Sequence, residues 1–427
     1  MNAPTTAQAD VPASAGRPSP NFLWCLLVLG TATYFGLFVA RPALLPAVGI
    51  NYLGVWFLDS FAILASNDAL ARGLDVYAPN ALDYLQRPHV YSHWWLGLGN
   101  LGLTRASNLG VGLALTLAFF AVALTALRPR KVGELLWYLC ILCSSPVLLA
   151  VHRANNDLVV FLLLAGMVPC LVSPFPSARL VAAVIVALAT GLKFYPAAAG
   201  LLLLAGAGAS SPTVRRGLLV GAAAITLVLA SLVPDLQRMG AMLPHVKAEG
   251  LMSFGAGNVL GIFGIFGWAA LAVGAAAAVA IGLAFWRANI FKDADAGGIE
   301  PAEWLRFVLG ATLLTACFFT GMNFGYRWIF ALWLGPFLWK ALREHPSIRV
   351  RRFAAITAGL MGVALWADAF AAVILTRLSG RIPGEKLVHW ADRFFLFEQP
   401  LTWAFFACLI GWLVHFTRTE TRLLISR

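Results

Sequence analysis

Runs of about 20 consecutive apolar residues recur along nearly the whole chain, and a lipid bilayer is the solvent in which such a pattern folds. Of the 427 residues 60% are apolar and only 12% charged, and the mean hydropathy is +0.80. A water-soluble surface built from so few charges would leave wide apolar patches exposed, so soluble domain organisations are excluded. The formal net charge of +12 would suggest a nucleic-acid partner in a soluble protein. Here the basic clusters Arg128-Pro129-Arg130-Lys131, Arg215-Arg216 and Arg349-Val350-Arg351-Arg352 fall in short gaps between apolar runs, which marks cytoplasmic loops. The expected partner is therefore the lipid bilayer, and no nucleic acid. Cys25, Cys140, Cys143, Cys170, Cys317 and Cys408 all lie inside apolar stretches and read as small hydrophobes.

Residues 1–20 are rich in Ala, Pro, Ser and Thr, which predicts a disordered cytoplasmic tail, and residues 21–427 form a single polytopic domain. The run from Asn21 has no basic n-region and no convincing cleavage site, so it reads as a retained helix. Further apolar runs near 107–127, 133–151, 157–172, 180–192, 196–208, 217–233, 262–285, 304–322, 328–342, 353–373 and 401–416 predict an all-α fold of about twelve transmembrane helices. With the N-terminus inside, more than half of the 31 Lys and Arg residues face the cytoplasm. The longer loops 41–106, 234–261 and 374–400 then lie on the extracytoplasmic side, where a functional site is expected.

Charges beside membrane spans are costly unless they line water, find a partner or do chemistry. Five positions stand out. Asp59 is an acid inside the apolar run Val55–Leu64, a setting that raises proton affinity and suits a general base; a helix N-cap or an ion-pair partner is the plainer alternative. In Arg72–Pro79, Gly73 and Pro79 bracket a turn that carries Asp75 and Tyr77. In His152–Asp157, Asn155, Asn156 or Asp157 can cap the following helix, while Arg153 beside a helix N-terminus suits a phosphate or sugar contact. Lys193 sits mid-way in an apolar stretch that Pro196 should break, so it either meets an anion in an outer cavity or snorkels to head groups. Gly321–Trp328 is a polar hairpin in which Tyr326 precedes Arg327, whose guanidinium has the geometry to clasp phosphate. One acid and several cations on one face suit removal of a hydroxyl proton with stabilisation of a departing phosphate.

Asp59-Ser60-Phe61, the Arg72–Pro79 turn, Arg153-Ala154-Asn155-Asn156-Asp157, Gly191–Pro196 and Tyr326-Arg327 follow one another through most of the chain. In that order they resemble the membrane glycosyltransferases of the GT-C superfamily, most closely family 87, the polyprenyl-phosphate-mannose-dependent mannosyltransferase-like proteins of bacteria. The resemblance implies a bacterial inner-membrane enzyme with a long extracytoplasmic first loop, a polyprenyl-phosphate sugar as donor and inversion at the anomeric carbon. It implies Asp59 as general base on a hydroxyl acceptor, with Lys193, Arg327 and, less directly, Arg153 on the donor phosphate. Asp75, Tyr77, His93, Asn156, Asp157 and Tyr326 are the remaining substrate-binding candidates. Where many relatives carry a Tyr-Pro-Pro run in the first loop, this chain has Tyr91-Ser92-His93-Trp94-Trp95, in which the tryptophans read as an interfacial belt or as a platform for a sugar.

No cofactor and no metal are expected. Asp293-Ala294-Asp295 reads as a solvated cytoplasmic loop, Cys140 and Cys143 lie within a span, and His89 and His93 lack a third ligand nearby. The acceptor reads as a glycolipid, a glycan or another hydroxyl compound. The competing reading is a transporter or flippase of a lipid-linked or anionic solute, against which stands the lack of an internal repeat. A ligase acting on a lipid-diphosphate oligosaccharide is a third.

Overall fold

A computed structural model describes residues 18–204, 212–242, 252–291, 300–320, 323–378 and 384–425. Most of the N-terminal tail and the whole of Asp293–Asp295 lie outside the described residues. The first half of the chain forms α1 (Pro20–Ala40), α2 (Leu58–Ala71), α3 (Asn108–Ala126), α4 (Val132–Leu142), α5 (Ser145–Arg153), α6 (Asp157–Ala165), α7 (Met167–Val172) and α8 (Pro176–Leu192). The second half forms α9 (Pro212–Ser231), α10 (Val233–Met242), α11 (Gly257–Ile262), α12 (Gly267–Ala288), α13 (Pro301–Phe319), α14 (Gly335–Glu344), α15 (Ile348–Leu378) and α16 (Gly384–Ile425). The only strands among the described residues are β1 (Ser253–Phe254) and β2 (Asn323–Phe324), paired antiparallel. The all-α membrane class is thus what the chain adopts.

Among the described residues six helices are long and apolar enough to cross a membrane, and α4 with α5, bent by 51° at their junction, supplies a seventh if the pair is one crossing. The shorter apolar helices Asp157–Val172, Ser177–Leu192 and Leu219–Ser231 account for three more of the twelve predicted runs. Two other runs are not α-helical throughout: Tyr195–Leu204 and Gly325–Trp333 are 3₁₀ helices. At about 2.0 Å per residue such a segment covers more distance per residue than an α-helix, and periodicity in the sequence does not separate the two.

Burial separates the lipid-facing helices from the central ones. Only 6% of the apolar window of α12 and 17% of that containing α3 is buried, against 61% for α13. Leu109, Leu113 and Leu117 of α3 point outward, as do Val273, Val279 and Leu283 of α12. In the interior, Phe161 stacks on Trp333 at 4.4 Å and Phe318 on Phe406 at 3.9 Å. Small residues let backbones approach closely: a Cβ at Gly274 would lie 2.8 Å from the Phe319 carbonyl oxygen, and one at Gly221 would lie 3.0 Å from the Ala183 Cβ.

Candidate active site

Two packed, left-handed residues set the frame of the site. Phe57, at φ 63°, precedes α2, and its ring lies so close to Gly112 that a Cβ there would sit 2.2 Å from it. Its backbone N–H donates to the His152 carbonyl at 2.8 Å, tying the start of α2 to the end of α5. Ala154, at φ 41°, then turns the chain out of α5. Neither residue has glycine's freedom, so packing maintains a backbone that local preference opposes.

Asp59 consequently lies in the first turn of α2, where free amides favour a carboxylate, and is 2% exposed. Its Oδ2 accepts a hydrogen bond from Asn155 Nδ2 at 2.7 Å. Its Oδ1 accepts from Arg87 Nη1 at 3.2 Å and lies 3.6 Å from Arg153 Nη1. The apolar residues that flank Asp59 in sequence are thus not the neighbours of its carboxylate in space.

Asn155 is fully buried and joins this acid to a second group of charges. Its Oδ1 accepts from the Asp157 backbone N–H at 2.9 Å, which starts α6, and from Lys193 Nζ at 3.4 Å. Of the three capping candidates, Asn156 holds the N-cap position without a side-chain bond, and Asn155, one residue ahead of it, supplies the side-chain bond to the first helical amide. Asp157, also fully buried, accepts on Oδ1 from Lys193 Nζ at 2.5 Å and from the Tyr195 hydroxyl at 2.6 Å. Its Oδ2 stands 3.9 Å from Arg327 Nε.

Chain breaks put the cations there. α8 ends at Leu192 and Lys193 is extended, at φ −149° and ψ 147°, just before the 3₁₀ helix containing Pro196. The break expected at Pro196 thus occurs three residues ahead of it. Trp95 closes the helix end by donating its indole N–H to the Leu192 carbonyl at 3.0 Å, and Trp94 packs on Gly191, where a Cβ would lie 2.3 Å from the ring. Both tryptophans pack against protein at this helix end. The β1–β2 ladder, extended by Gly325 N–H donating to the Met252 carbonyl at 2.6 Å, delivers Tyr326 and Arg327. Lys193 Nζ lies 5.4 Å from the centre of the Tyr326 ring and 6.0 Å from that of Tyr91, while Arg327 lies over Tyr195 at 4.9 Å.

The cluster holds four cations, Arg87, Arg153, Lys193 and Arg327, against three carboxylates, Asp59, Asp83 and Asp157. One positive charge is in excess, which suits an anionic group. Arg87 makes four side-chain hydrogen bonds, and Lys193 and Arg327 are held by Asp157. Arg153 differs: its side chain is 21% exposed, it touches Asp59 only at 3.6 Å and it otherwise lies over the Phe324 ring at 5.9 Å. It is the cation best placed to receive an outside anion.

Asp75, Tyr77 and His93 lie apart. Asp75 is exposed and closes a local turn by accepting from the Tyr77 N–H at 2.9 Å. The Tyr77 ring carries Arg238 at 4.8 Å and packs on His89. His93 Nδ1 pairs with buried Asp235 of α10 at 2.8 Å. Asn156 is buried, and neither end of its side-chain amide has a hydrogen-bond partner. Burial holds the His89 imidazole below its ordinary proton affinity. Burial and then the Asp59 carboxylate push the Tyr91 phenol well above its usual range, which puts Tyr91 beside the acid.

Arg87 and Asp83 are the members that the sequence did not flag; their i,i+4 spacing in a polar loop is the one trace they leave. The described residues contain no group of three or more His, Cys, Asp or Glu arranged to hold a metal ion. A groove of about 290 Å³ between α4, α14 and α15 is lined by Trp137, Trp339, Leu342, Ala355 and Val363 among others and has no titratable wall. Comparison with protein-family models, with curated proteins and with solved structures finds no match to the chain.

Proposed function

We propose that the chain is an inverting membrane glycosyltransferase that moves one sugar, mannose in the first instance, from a polyprenyl-phosphate donor to a hydroxyl acceptor. The single observation that carries this reading is the convergence of Asp59 with Arg153, Asn155, Asp157, Lys193, Tyr326 and Arg327 in one connected polar cluster. In the direct displacement, Asp59 takes the proton of the acceptor hydroxyl as its oxygen bonds to the anomeric carbon. The bond from that carbon to the phosphate oxygen breaks, and the polyprenyl phosphate leaves with the electron pair. Arg153 meets the charge that grows on the phosphate, with Lys193 and Arg327 behind it on Asp157 as a fixed positive wall. Asp59 offers about four lone-pair directions and hydrogen bonds from Arg87 and Asn155 take two, with Arg153 3.6 Å away, so room remains for the acceptor hydroxyl.

The reading includes a GT-C-like architecture of about twelve spans, in which the bent pair, short helices and 3₁₀ segments add to the six long helices. It places the segment 41–106 and the site on the extracytoplasmic side of a bacterial inner membrane. The test is transfer from a radiolabelled polyprenyl-phosphate sugar by purified protein and by Asp59→Asn. The variant should retain donor binding and lose transfer by about 10²–10⁴-fold. Full transfer by the variant removes Asp59 from its role, and solute movement into proteoliposomes without product would point to a transporter.

A further inference from the structure

The structure assigns Arg87 the role of a positioning residue that sets the orientation of Asp59, held in turn by Asp83; this rests on Asp59 being the base of the proposed transfer. Arg87 belongs to the loop after α2, 28 residues from Asp59, yet its guanidinium is spent on the start of α2. Nη1 donates to Asp59 Oδ1 at 3.2 Å, and Nη2 donates to the Leu58 carbonyl at 2.8 Å. The opposite edge faces Asp83, with Nε to Oδ2 at 2.9 Å and Nη2 to Oδ1 at 3.0 Å, a two-point grip that fixes the plane of the group. Asp83 is itself fixed, 4% exposed, with its Oδ2 accepting from the backbone N–H groups of Leu85 and Arg87 at 3.1 and 3.0 Å. A planar cation locked on one carboxylate therefore presents a single N–H to the other. With Asn155 on Oδ2, it restricts rotation of the Asp59 carboxylate to the orientation in which the lone pairs left free by these two bonds are open.

Lysine cannot reproduce this, because an ammonium is a point donor and does not span two carboxylates with fixed geometry. Misplacement of a catalytic group by about 1 Å costs about 10²-fold in rate. Arg87→Lys and Arg87→Gly should therefore lower kcat about 100-fold with the donor KM held within about twofold. In Arg87→Gly, added guanidinium chloride in the tens of millimolar should restore at least a tenth of the lost rate, since the side chain is 26% exposed, while equal sodium chloride should not. A kcat within threefold of wild type in either folded variant, or no rescue by guanidinium, overturns the proposal. A second readout does not depend on transfer: carbodiimide labelling of Asp59, followed by mass spectrometry, should be faster in Arg87→Lys than in wild type, and equal labelling also overturns it. If the wild-type protein transfers no sugar, the functional reading fails while the labelling still decides the clamp.

Discussion

Asp157→Asn removes the carboxylate that holds two buried cations. Asp157 is fully buried, Lys193 Nζ sits 2.5 Å from its Oδ1, and Arg327 Nε lies 3.9 Å from its Oδ2. The amide preserves shape and can keep the Tyr195 contact, so what is lost is charge. Removing one partner of a buried pair leaves an uncompensated charge and costs about 3–5 kcal/mol. Lys193 loses its main partner while Arg327 keeps the Tyr195 ring, so the lower half of that range is expected. Removing the cation as well, in Asp157→Asn/Lys193→Met, should return about 1–3 kcal/mol of this as a coupling energy. The assay is reversible unfolding in mixed detergent micelles, followed by tryptophan fluorescence, on the four proteins of the cycle. A single variant within about 1 kcal/mol of wild type, or a coupling near zero, would refute the claim that Asp157 neutralises this part of the site.

Three further outcomes are expected. Gly112→Ala should destabilise the protein by about 1–3 kcal/mol and depress transfer, because a Cβ 2.2 Å from the Phe57 ring must displace the residue that sets the entry of α2; thermal unfolding and activity measured together check this. Arg153→Met should raise the donor KM about 10–100-fold, the worth of a hydrogen bond to a charged group, and an unchanged KM would move the phosphate elsewhere. The pH dependence follows from His89. Its folded form binds a proton less readily than the unfolded chain, so its contribution is present above about pH 6.5 and is lost as pH falls below that value. Unfolding free energy should decline between pH 7 and 5 by at most about 1.4 kcal/mol per unit from this group, and His89→Gln should flatten that decline.

The residues that were legible in the sequence share a physical reason. Asp59 and Lys193 are charges inside apolar runs and Arg327 one beside such a run, where a charge requires an explanation. Arg153 and Asp157 belong to a polar island just before another such run. Arg87 and Asp83 were hidden because charge in a polar loop needs no explanation, and their partner, Asp59, is chosen by tertiary folding. Asp75, Tyr77 and His93 occupy turns and a second cluster with Asp235 and Arg238 rather than the Asp59 cluster, a division that local composition does not encode. The helical class followed from hydropathy alone. The bend between α4 and α5 and the 3₁₀ segments did not, since apolar content is insensitive to the pitch of the backbone.

The most direct measurement is a structure of the protein with an unreactive polyprenyl C-glycosyl phosphonate bound. The account predicts the phosphonate oxygens within hydrogen-bonding distance of the Arg153 guanidinium, with the face of the anomeric carbon opposite the phosphonate turned toward Asp59. A phosphonate bound away from Arg153, or an anomeric carbon with no path from Asp59 through one hydroxyl, would contradict it.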